Sequence, residues 1–250
     1  MAIVLETVNL VKRFGGIVAT NDVSLRVEAG ARHALICPNG AGKTTIINLL
    51  TGVLPPSGGK ILLDDKDISR LSQNARVRRG IARTFQINQL FMDLTPVETL
   101  GLAISERLGH GTAWWRTVGS KPAVIEEIVE LLERFRLTDV MNDRTAILPY
   151  GKQRMLEIAV AIACKPRVLL LDEPAAGVPE GERHDILAAV ASLPKHVTVL
   201  LIEHDMDLVF SYASRVTVLV NGALLTEGAP AAIAADARVR AVYLGESLDG

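Results

Sequence analysis

The feature that most constrains this chain is the segment 37–45, which follows a short apolar run. It reads Cys-Pro-Asn-Gly-Ala-Gly-Lys-Thr-Thr, and the run before it is Ala34-Leu35-Ile36. A glycine-rich loop between a strand and a helix directs backbone N–H groups and the helix N-terminus at phosphate oxygens. In the pattern G-x-x-x-x-G-K-[ST], the lysine (Lys43) adds positive charge and the hydroxyl of Thr44 can ligate Mg²⁺. The segment therefore predicts a nucleotide-binding loop.

The alternative interpretation is an ordinary glycine-rich turn. The register of Gly42, Lys43 and Thr44, followed by the helical pattern Ile46–Leu50, favours the phosphate loop. The predicted nucleotide contacts here are Cys37, Pro38, Asn39, Gly40, Ala41, Gly42, Lys43, Thr44 and Thr45.

Cys37 stands where the pattern has its first glycine. A small side chain fits there if the backbone does not need a positive φ, so we expect an altered loop that still binds phosphate. We expect the side chain to point away from the phosphates, because a group aimed at them would obstruct the loop. Lys43 and the positive end of the following helix should partly lower the pKa of the thiol.

Composition excludes several classes of protein. The chain has 250 residues, 49% of them hydrophobic, and a net charge of −1. This suits one large globular domain or a core with a subdomain, and the near-neutral charge offers no footprint for nucleic acid. The two cysteines, Cys37 and Cys164, suggest neither a disulfide framework nor a zinc cluster, which indicates a reducing compartment.

The sequence shows neither a signal peptide nor a membrane span. The N-terminus lacks a basic start followed by an apolar core of signal-peptide length. No apolar run reaches the ~18 residues that a spanning helix needs. We therefore expect a cytoplasmic protein that contacts a membrane only through a partner.

Strand and helix patterns alternate along the chain. Short strand patterns broken by Gly, Pro or Asp predict an antiparallel β piece near the N-terminus: Ile3–Val11, Asp22–Val27 and Lys60–Leu63. Apolar runs that lead into helical patterns predict a parallel sheet: Ala34–Ile36, Val168–Leu171 and Val197–Ile202. The predicted fold class is α/β, a P-loop NTPase core with a mostly parallel sheet.

Residues 87–150 lack strand patterns and are predicted to form a helical subdomain. Pro122 begins a helix there with an apolar face opposite a row of glutamates. The predicted organisation is a core of 1–86 and 151–228, the subdomain 87–150, and a C-terminal helical tail 229–250.

The segment Val168–Pro174 carries a second set of candidate site residues. Four apolar residues predict a buried strand, and Asp172 and Glu173 follow at its C-terminal end, where open α/β sheets bind ligands. Asp172 would hold Mg²⁺, directly or through water, and Glu173 would act as the base or water-orienting group in hydrolysis. The alternative, a strand ending in a charged turn, is disfavoured by the phosphate loop upstream.

The order of these motifs resembles the nucleotide-binding subunit of an ABC transporter, over the whole chain. Gln86 matches the Q-loop glutamine of that family, His204 the switch histidine, and Phe14 the aromatic residue on which adenine packs. The segment Leu148-Pro149-Tyr150-Gly151-Lys152-Gln153-Arg154 matches the signature motif. Each match is weak alone, and their joint order carries the resemblance.

The resemblance implies ATP and Mg²⁺ as cofactors. It implies catalytic roles for Glu173, His204, Gln86 and Lys43, and metal ligation by Thr44, Gln86 and Asp172. It also implies nucleotide contacts from Phe14 and, across a dimer, from Pro149, Tyr150, Gly151 and Lys152.

Within the family, several segments resemble the ATPases of branched-chain amino acid uptake systems: Arg13–Gly16, Gly80–Gln86, Asp172–Gly177, Ile202–Asp207 and Val239–Glu246. This implies a second copy or a homologous ATPase subunit, two transmembrane permease subunits, and indirectly a periplasmic solute-binding protein. Nucleic acid is not an implied partner. The chain would lie on the inner face of the cell membrane.

Two further features bear on partners and rate. Leu90, Phe91, Met92 and Leu94 either line a groove for a permease helix or belong to the subdomain core. Pro149 stands where the family signature has Ser, and Pro179 where the loop after Glu173 has Asp or Asn. We interpret both prolines as tuning the rate.

Three alternatives within reach of the sequence are less favoured. A lipopolysaccharide-type exporter ATPase shares the Tyr243–Glu246 ending, but the sequences Phe85–Ile87 and Ala175–Gly177 favour the importer. A soluble ABC ATPase of DNA maintenance would carry a long coiled coil before the signature, and no sustained heptads occur there. The signature and the switch histidine disfavour a P-loop kinase outside the ABC family.

Overall fold

The computed structural model describes residues 2–38, 41–84, 90–110 and 121–244. They fall into two compact units: the first lies within 1–81, 167–173 and 194–250, and the second within 82–166 and 174–193. Across these described ranges, no helix is both long and apolar enough to cross a membrane.

The first unit holds most of the strands and five helices among its described residues. Its strands are β1 (Ile3–Phe14), β2 (Ile17–Val23), β3 (Arg26–Glu28), β4 (Arg32–Ile36), β5 (Gly58–Leu63), β6 (Lys66–Asp67), β8 (Val168–Asp172), β9 (Thr198–Glu203), β10 (Arg215–Val220) and β11 (Ala223–Gly228), while β7 (Ile81–Arg83) begins at the unit boundary. Its helices are α1 (Lys43–Thr51), α2 (Gln73–Arg78), α7 (Met206–Tyr212), α8 (Pro230–Ala235) and α9 (Ala237–Leu244).

The N-terminal antiparallel piece is confirmed. β1 pairs antiparallel with β2, β3 and β5. The single strand predicted over Asp22–Val27 is instead the end of β2 followed by β3. The reason is Thr7 on β1, whose hydroxyl donates to the Val23 carbonyl oxygen and accepts the Leu25 N–H, both at 2.9 Å. At the break, these side-chain hydrogen bonds stand beside the backbone bond from the Thr7 N–H to the Leu25 carbonyl oxygen.

The parallel sheet is also confirmed, with strand order β11-β10-β4-β9-β8. β4, β8, β9 and β10 run parallel, and β11 closes the edge antiparallel to β10. Ile36 pairs with Glu203, and Asp172 pairs with Ile202. The carboxyl ends of β4, β8 and β9 thus meet at one edge, which we call the carboxyl edge.

Alternate residues of β4 face two apolar clusters, as strand geometry requires. Leu35 and, just beyond the strand, Cys37 pack with the apolar side of α1. Ala34 and Ile36 pack on the opposite side with Val209 and with residues of the C-terminal helices. A continuous apolar strand buried on both faces is typical of a parallel sheet.

The second unit is helical in its described part. Its helices are α3 (Pro96–Arg107), α4 (Pro122–Arg134), α5 (Tyr150–Ala163) and α6 (Glu180–Ala191), with short 3₁₀ turns at Thr138–Val140 and Thr145–Ile147. A capping box between Thr95 and Glu98 begins α3. Pro122 begins α4, as predicted. Arg107 of α3 donates two hydrogen bonds of 2.7 Å to the Glu127 carboxylate of α4.

The division into units differs from the predicted organisation in two places. The signature helix α5 and the following α6 belong to the second unit and not to the core, because α5 packs against α3, α4 and α6. The C-terminal helices belong to the first unit, where Ile233 and Val239 are buried in a sheet-facing cluster. Local sequence patterns do not predict either assignment. The helix α5, for example, leads directly into the core strand β8 but packs with the second unit.

Candidate active site

The loop between β4 and α1 closes on a glycine whose conformation excludes other residues. Gly42 has φ +94° and caps the N-terminus of α1. A Cβ at this position would lie 2.5 Å from the carbonyl oxygen of Ala19. The Ala41 N–H donates to the Pro38 carbonyl oxygen at 3.1 Å, which closes the turn before it. The first turn of α1 follows, and its N–H groups lack intrahelical acceptors, as in helix N-termini that bind anions; phosphate binding here stays a prediction.

A buried arginine holds the other end of α1. Arg76 of α2 donates from Nη1 to the carbonyl oxygens of Leu49 and Leu50, at 2.6 and 2.9 Å. Burial lowers the pKa of Arg76 to about 10, so it stays charged at neutral pH and its cation lies at the negative end of the helix. The sequence analysis did not single out Arg76, because an arginine in a charged stretch gives no sign that it will be buried.

Two predicted catalytic residues, Lys43 and His204, converge on one carboxylate oxygen of a third, Glu173. Lys43 Nζ forms an ion pair with Glu173 Oε1, and His204 Nδ1 lies 3.0 Å from the same oxygen. Burial would raise the pKa of Glu173, but hydrogen bonds and charge from Lys43 and His204 outweigh it and hold the pKa below its usual value. Glu173 is therefore ionised at neutral pH, as a base or water-orienting group must be.

The backbone of Glu173 turns sharply out of strand β8. Its φ is +46°, in the left-handed region that residues other than glycine rarely adopt. Its N–H donates to the Ile202 carbonyl oxygen of β9 at 2.9 Å, which fixes the turn. Such backbone strain costs on the order of 1 kcal/mol and is concentrated at functional sites.

Some of the other predicted metal and nucleotide contacts lie within the described residues, and some lie outside them. Asp172 is buried at the end of β8, and Thr44 is exposed in the first turn of α1. A carboxylate and a hydroxyl are oxygen donors of the kind that Mg²⁺ takes, so this donor set fits a magnesium ion. Asn39, Gly40 and Gln86 lie outside the described residues.

A second buried carboxylate, Glu203, lies at the carboxyl edge and was missed as a site residue. Its Oε2 accepts the backbone N–H of His204 at 3.2 Å and lies 3.8 Å from His204 Nδ1. Burial raises the pKa of Glu203 to about 7, and the negative charge of Glu173 contributes to that rise. The sequence did carry a signal for this residue: Glu203 is an acidic residue directly after the apolar run Val197–Ile202.

The expectation for the Cys37 thiol was wrong. Cys37 is fully buried in the cluster on the α1 side of the sheet. Burial raises its pKa to about 12, although the Lys43 charge acts in the opposite direction. Desolvation of the thiolate therefore outweighs the nearby cation. Here Cys37 is an apolar core residue, and its role as a backbone contact to phosphate stays a prediction.

Comparison with known proteins assigns the family. The family described as ABC transporter matches residues 20–176, more than half of the chain. The chain belongs to the ABC transporter family. A second family, described as branched-chain amino acid ATP-binding cassette transporter, matches residues 223–249.

Relatives similar to this chain cover it almost fully. It is 42% identical over 251 residues to BraF of Pseudomonas aeruginosa, a high-affinity branched-chain amino acid transport ATP-binding protein, with 98% of each covered. It is 39% identical to LivG of Escherichia coli (strain K12), with 97% of this chain and 98% of LivG covered. The ADP conformation of an ATP-binding cassette of an ABC transporter matches with a TM-score of 0.83 at 32% identity, covering 98% of this chain and 100% of that one. The chain is an ABC-type ATPase with an α/β P-loop fold.

In this ABC ATPase, the residue predicted to stack on adenine is accessible. Phe14 ends β1 with 46% of its surface exposed, and the Lys12 ammonium lies 5.1 Å from its ring centroid. An exposed ring at a strand end is available to a flat ligand, and the Lys12 ammonium lies over one of its faces. Stacking on adenine stays a prediction.

The signature segment forms the N-terminal turn of α5 in the second unit. Pro149 precedes that turn with φ −52°, within the range that proline allows. The Arg154 guanidinium lies 5.6 Å from the Tyr150 ring centroid. Gly177 lies against the same ring, where a Cβ would approach to 3.3 Å. The ring thereby links α5 to the loop that leads into α6.

The next two signature residues have close contacts of their own. Gly151 is buried and lies against the Glu182 carboxylate of α6, which occupies the space that a Cβ would need. Lys152 Nζ donates to Asp139 Oδ1 at 2.8 Å and to the Arg136 carbonyl oxygen. A Cβ at 151 would therefore meet only the flexible side chain of exposed Glu182.

The apolar residues after Gln86 divide in their burial. Phe91 and Met92 are exposed, with 58% and 41% of their surface accessible, while Leu90 and Leu94 are half-buried. Phe91 and Met92 are therefore outside the subdomain core, and their contact with a permease helix stays a prediction.

Proposed function

We propose that this chain is the ATP-hydrolysing subunit of an importer for branched-chain amino acids or related small organic solutes. The observation that carries the hydrolytic part is the convergence of Lys43 and His204 on the ionised carboxylate of Glu173. Support for the solute class comes from the match at residues 223–249 and from the likeness to BraF and LivG.

In the proposed reaction, the Glu173 carboxylate accepts a hydrogen bond from the attacking water and directs it at the γ-phosphate. Lys43 exchanges its contact with Glu173 for the phosphate oxygens, which leaves Oε1 to the water. His204 lies close enough to the same oxygen to keep the carboxylate oriented. Mg²⁺, held by Thr44, Asp172 and Gln86, would supply the charge that neutralises the phosphates.

One phosphate loop and one signature in each chain call for two ATPase subunits. ATP on the phosphate loop of one subunit would be covered by Pro149, Tyr150, Gly151 and Lys152 of the other, either a second copy or a homologous subunit. The N-terminus of α5 supports this, because helix N-termini favour anions. Closing the two subunits would exclude water other than the nucleophile.

The remaining partners follow from the importer assignment. Two transmembrane permease subunits would carry the solute, and exposed Phe91 and Met92 would contact a cytoplasmic helix of one of them. A periplasmic solute-binding protein would act through the permeases. The chain would then lie on the inner face of the cell membrane. A lipopolysaccharide-type exporter is less well supported, because the relatives above are named as branched-chain amino acid transport proteins.

Reconstitution tests the proposal. The chain is placed in proteoliposomes with its permease partners and a solute-binding protein, and the uptake of labelled leucine and the release of phosphate are measured together. ATP-dependent leucine uptake that Glu173→Gln abolishes is expected. Phosphate release without uptake of leucine, isoleucine or valine would reject the solute class and leave the hydrolytic role standing.

A further inference from the structure

A cavity of about 270 Å³ lies wholly within the second unit, beside the N-terminal turn of α5. Its floor is apolar and buried, formed by Phe135, Met155 and Ile186. Two positive and two negative side chains line the rest: Arg136, Lys152, Glu182 and Asp185. The cavity therefore combines an apolar surface with charges of both signs.

Two of the charged side chains at the rim of the cavity are held by a weak ion pair, which a ligand can displace. Arg136 Nη1 lies 2.5 Å from Asp185 Oδ1, and more than half of each side chain is exposed. Exposed ion pairs of this kind contribute about 0–1 kcal/mol. Arg136 and Asp185 are each other's partners in this pair. A ligand with one positive and one negative group can take the place of both partners. Glu182, held against Gly151 on α5, adds a second carboxylate beside the same opening.

We infer that this cavity binds an α-amino acid with an aliphatic side chain. The lining carries two cations and two carboxylates, so its net charge matches neither a simple anion nor a simple cation. A zwitterion meets both signs at once, with its carboxylate toward Arg136 and its ammonium toward Asp185. The side chain would lie on Phe135, Met155 and Ile186, where burial of each methylene contributes about 0.8 kcal/mol.

The size of the cavity supports the same class. The cavity volume is about 270 Å³. It lies just below the range of roughly 300–1,000 Å³ for sites of drug-sized ligands. This suits a single amino acid better than a nucleotide or a peptide.

The position of the cavity gives binding a consequence, and this step rests on the proposed function. Gly151 and Lys152 line the cavity and also belong to the segment proposed to cover the ATP of the other subunit. An amino acid held there would hinder closure of the two subunits. Rising cytoplasmic solute would then slow its own uptake.

Calorimetric titration of the full chain with L-leucine, without nucleotide, tests the binding step. The matched probes are 4-methylpentanoate, which lacks the ammonium, 3-methylbutylamine, which lacks the carboxylate, and glycine, which lacks the side chain. Leucine should bind, and each probe should bind at least about tenfold more weakly, or about 1.4 kcal/mol. Absence of leucine binding up to about 10 mM, roughly 2.7 kcal/mol on the 1 M scale, would overturn the inference. Equal binding of 4-methylpentanoate would do so too, because it would mark a plain anion site.

Variants locate the binding. Arg136→Gln and Asp185→Asn change exposed side chains and should each weaken leucine binding about tenfold with an unchanged far-UV spectrum. Glu126→Gln, an exposed carboxylate of α4 that does not line the cavity, is the matched control and should bind leucine as the parent does. Leucine binding that persists in both Arg136→Gln and Asp185→Asn would place the ligand elsewhere and contradict the inference.

The regulatory step uses Glu173→Gln, which is expected to bind ATP without hydrolysing it. Light scattering with ATP and Mg²⁺ should show a dimer whose fraction falls when leucine is added, while ATP binding to the monomer is unchanged. A dimer that saturating leucine leaves intact would reject the regulatory role. Failure of Glu173→Gln to dimerise with ATP would count against a second copy as the partner and against leucine acting on such a dimer, while leucine binding is decided separately by the titration.

Discussion

The carboxyl edge of the first unit and the α5 N-terminus of the second are held by different forces. At the carboxyl edge, the Glu173 carboxylate is nearly buried and bonded to Lys43 and His204 at the end of a sheet whose strands are buried on both faces. Around the N-terminus of α5, Lys152 forms an ion pair with the exposed carboxylate of Asp139, and the buried pair in the following turn, Arg154 with Glu157, lies within the helix itself. Buried, hydrogen-bonded charges are far costlier to disturb than exposed pairs.

The departures from the ABC pattern follow this difference. Pro149 and Pro179 each lie directly before a helix of the second unit, at φ near −50°, where a proline fits without distortion. The departure in the first unit, Cys37, changes a side chain that is directed into the core and away from the loop. The residues of the carboxyl edge that would perform hydrolysis match the family. The predicted catalytic residues are therefore concentrated at the end of a sheet whose strands are buried on both faces.

The largest expected effect would test this contrast directly. Glu173→Gln removes the ionised carboxylate of the first unit and should lower ATP turnover by about 2–4 orders of magnitude, the scale for a base or water-orienting group. Phosphate release at saturating ATP measures it, with binding of a fluorescent ATP analogue showing that the nucleotide site persists.

The matched control is Glu126→Gln, the same chemical change on the exposed face of α4 in the second unit. Its turnover should equal that of the parent. If Glu173→Gln keeps turnover within twofold of the parent, the catalytic assignment is wrong.

Much of this contrast is readable from the sequence, because its signals are local. The register of Gly42, Lys43 and Thr44 predicts the loop, and the apolar run before Asp172 and Glu173 predicts a buried strand that ends in carboxylates. Parallel strands place those ends at one edge. Only the side-chain positions in the folded chain show that Lys43 and His204 contact the same oxygen of Glu173.

What the sequence could not predict depends on contacts between distant residues. The raised pKa of Glu203 depends on burial beside Glu173. The burial of Cys37 was foreshadowed by its alternation with Leu35, but the nearby lysine suggested the opposite pKa shift. The assignment of α5 to the second unit depends on its packing against α3 and α4, which no local pattern encodes.

A pH experiment tests how firmly the first unit excludes charge. His33 of β4 is buried, its Nε2 lies 2.7 Å from Thr217 Oγ1, and burial lowers its pKa to about 4, with Arg215 adding to the fall and Glu227 opposing it. The folded pKa of His33 lies below the unfolded value of about 6.5. The contribution of the buried neutral imidazole to folding stability is therefore fully present above pH 6.5 and is lost as the pH falls through 4. The shift corresponds to about 3 kcal/mol.

Urea unfolding of the parent and of His33→Gln between pH 7.5 and pH 4 measures this. The stability difference between the two should change with pH in that window, because only the parent has an imidazole to protonate. Glu203, whose folded pKa of about 7 is raised, acts with the opposite sign, since its contribution is lost as pH rises toward 7. Both proteins retain Glu203, so it cancels in the comparison. A difference that is independent of pH would refute the assignment of His33.

Two glycines, one in each unit, sharpen the contrast at a smaller scale. Gly42→Ala puts a Cβ against the Ala19 backbone at a positive φ and should destabilise by about 2 kcal/mol, with weaker binding of the ATP analogue. Gly151→Ala meets only the carboxylate of exposed Glu182, which can rotate away, and alanine is about 1 kcal/mol better than glycine in a helix. The free energy of unfolding of Gly151→Ala should stay within about 0.5 kcal/mol of the parent value. Equal losses of stability in the two variants would show that the two positions do not differ in their need for glycine.

The smallest effect concerns the two cysteines, which also lie one in each unit. Cys37 is fully buried with a pKa near 12, so its thiolate fraction at neutral pH is on the order of 10⁻⁵. Cys164 directly follows α5, is only partly buried, and has a pKa that burial raises while Arg107 opposes the rise. With a chromogenic disulfide reagent at pH 8, we expect slow reaction of Cys164 and none of Cys37 until denaturant is added, so Cys164→Ala should show no native thiol. MgATP should leave the native reaction of Cys37 unchanged, because the core already shields it. Rapid labelling of Cys37 in the native protein, with protection by MgATP, would mean that the strand end opens to solvent. The carboxyl edge would then be the more mobile of the two regions.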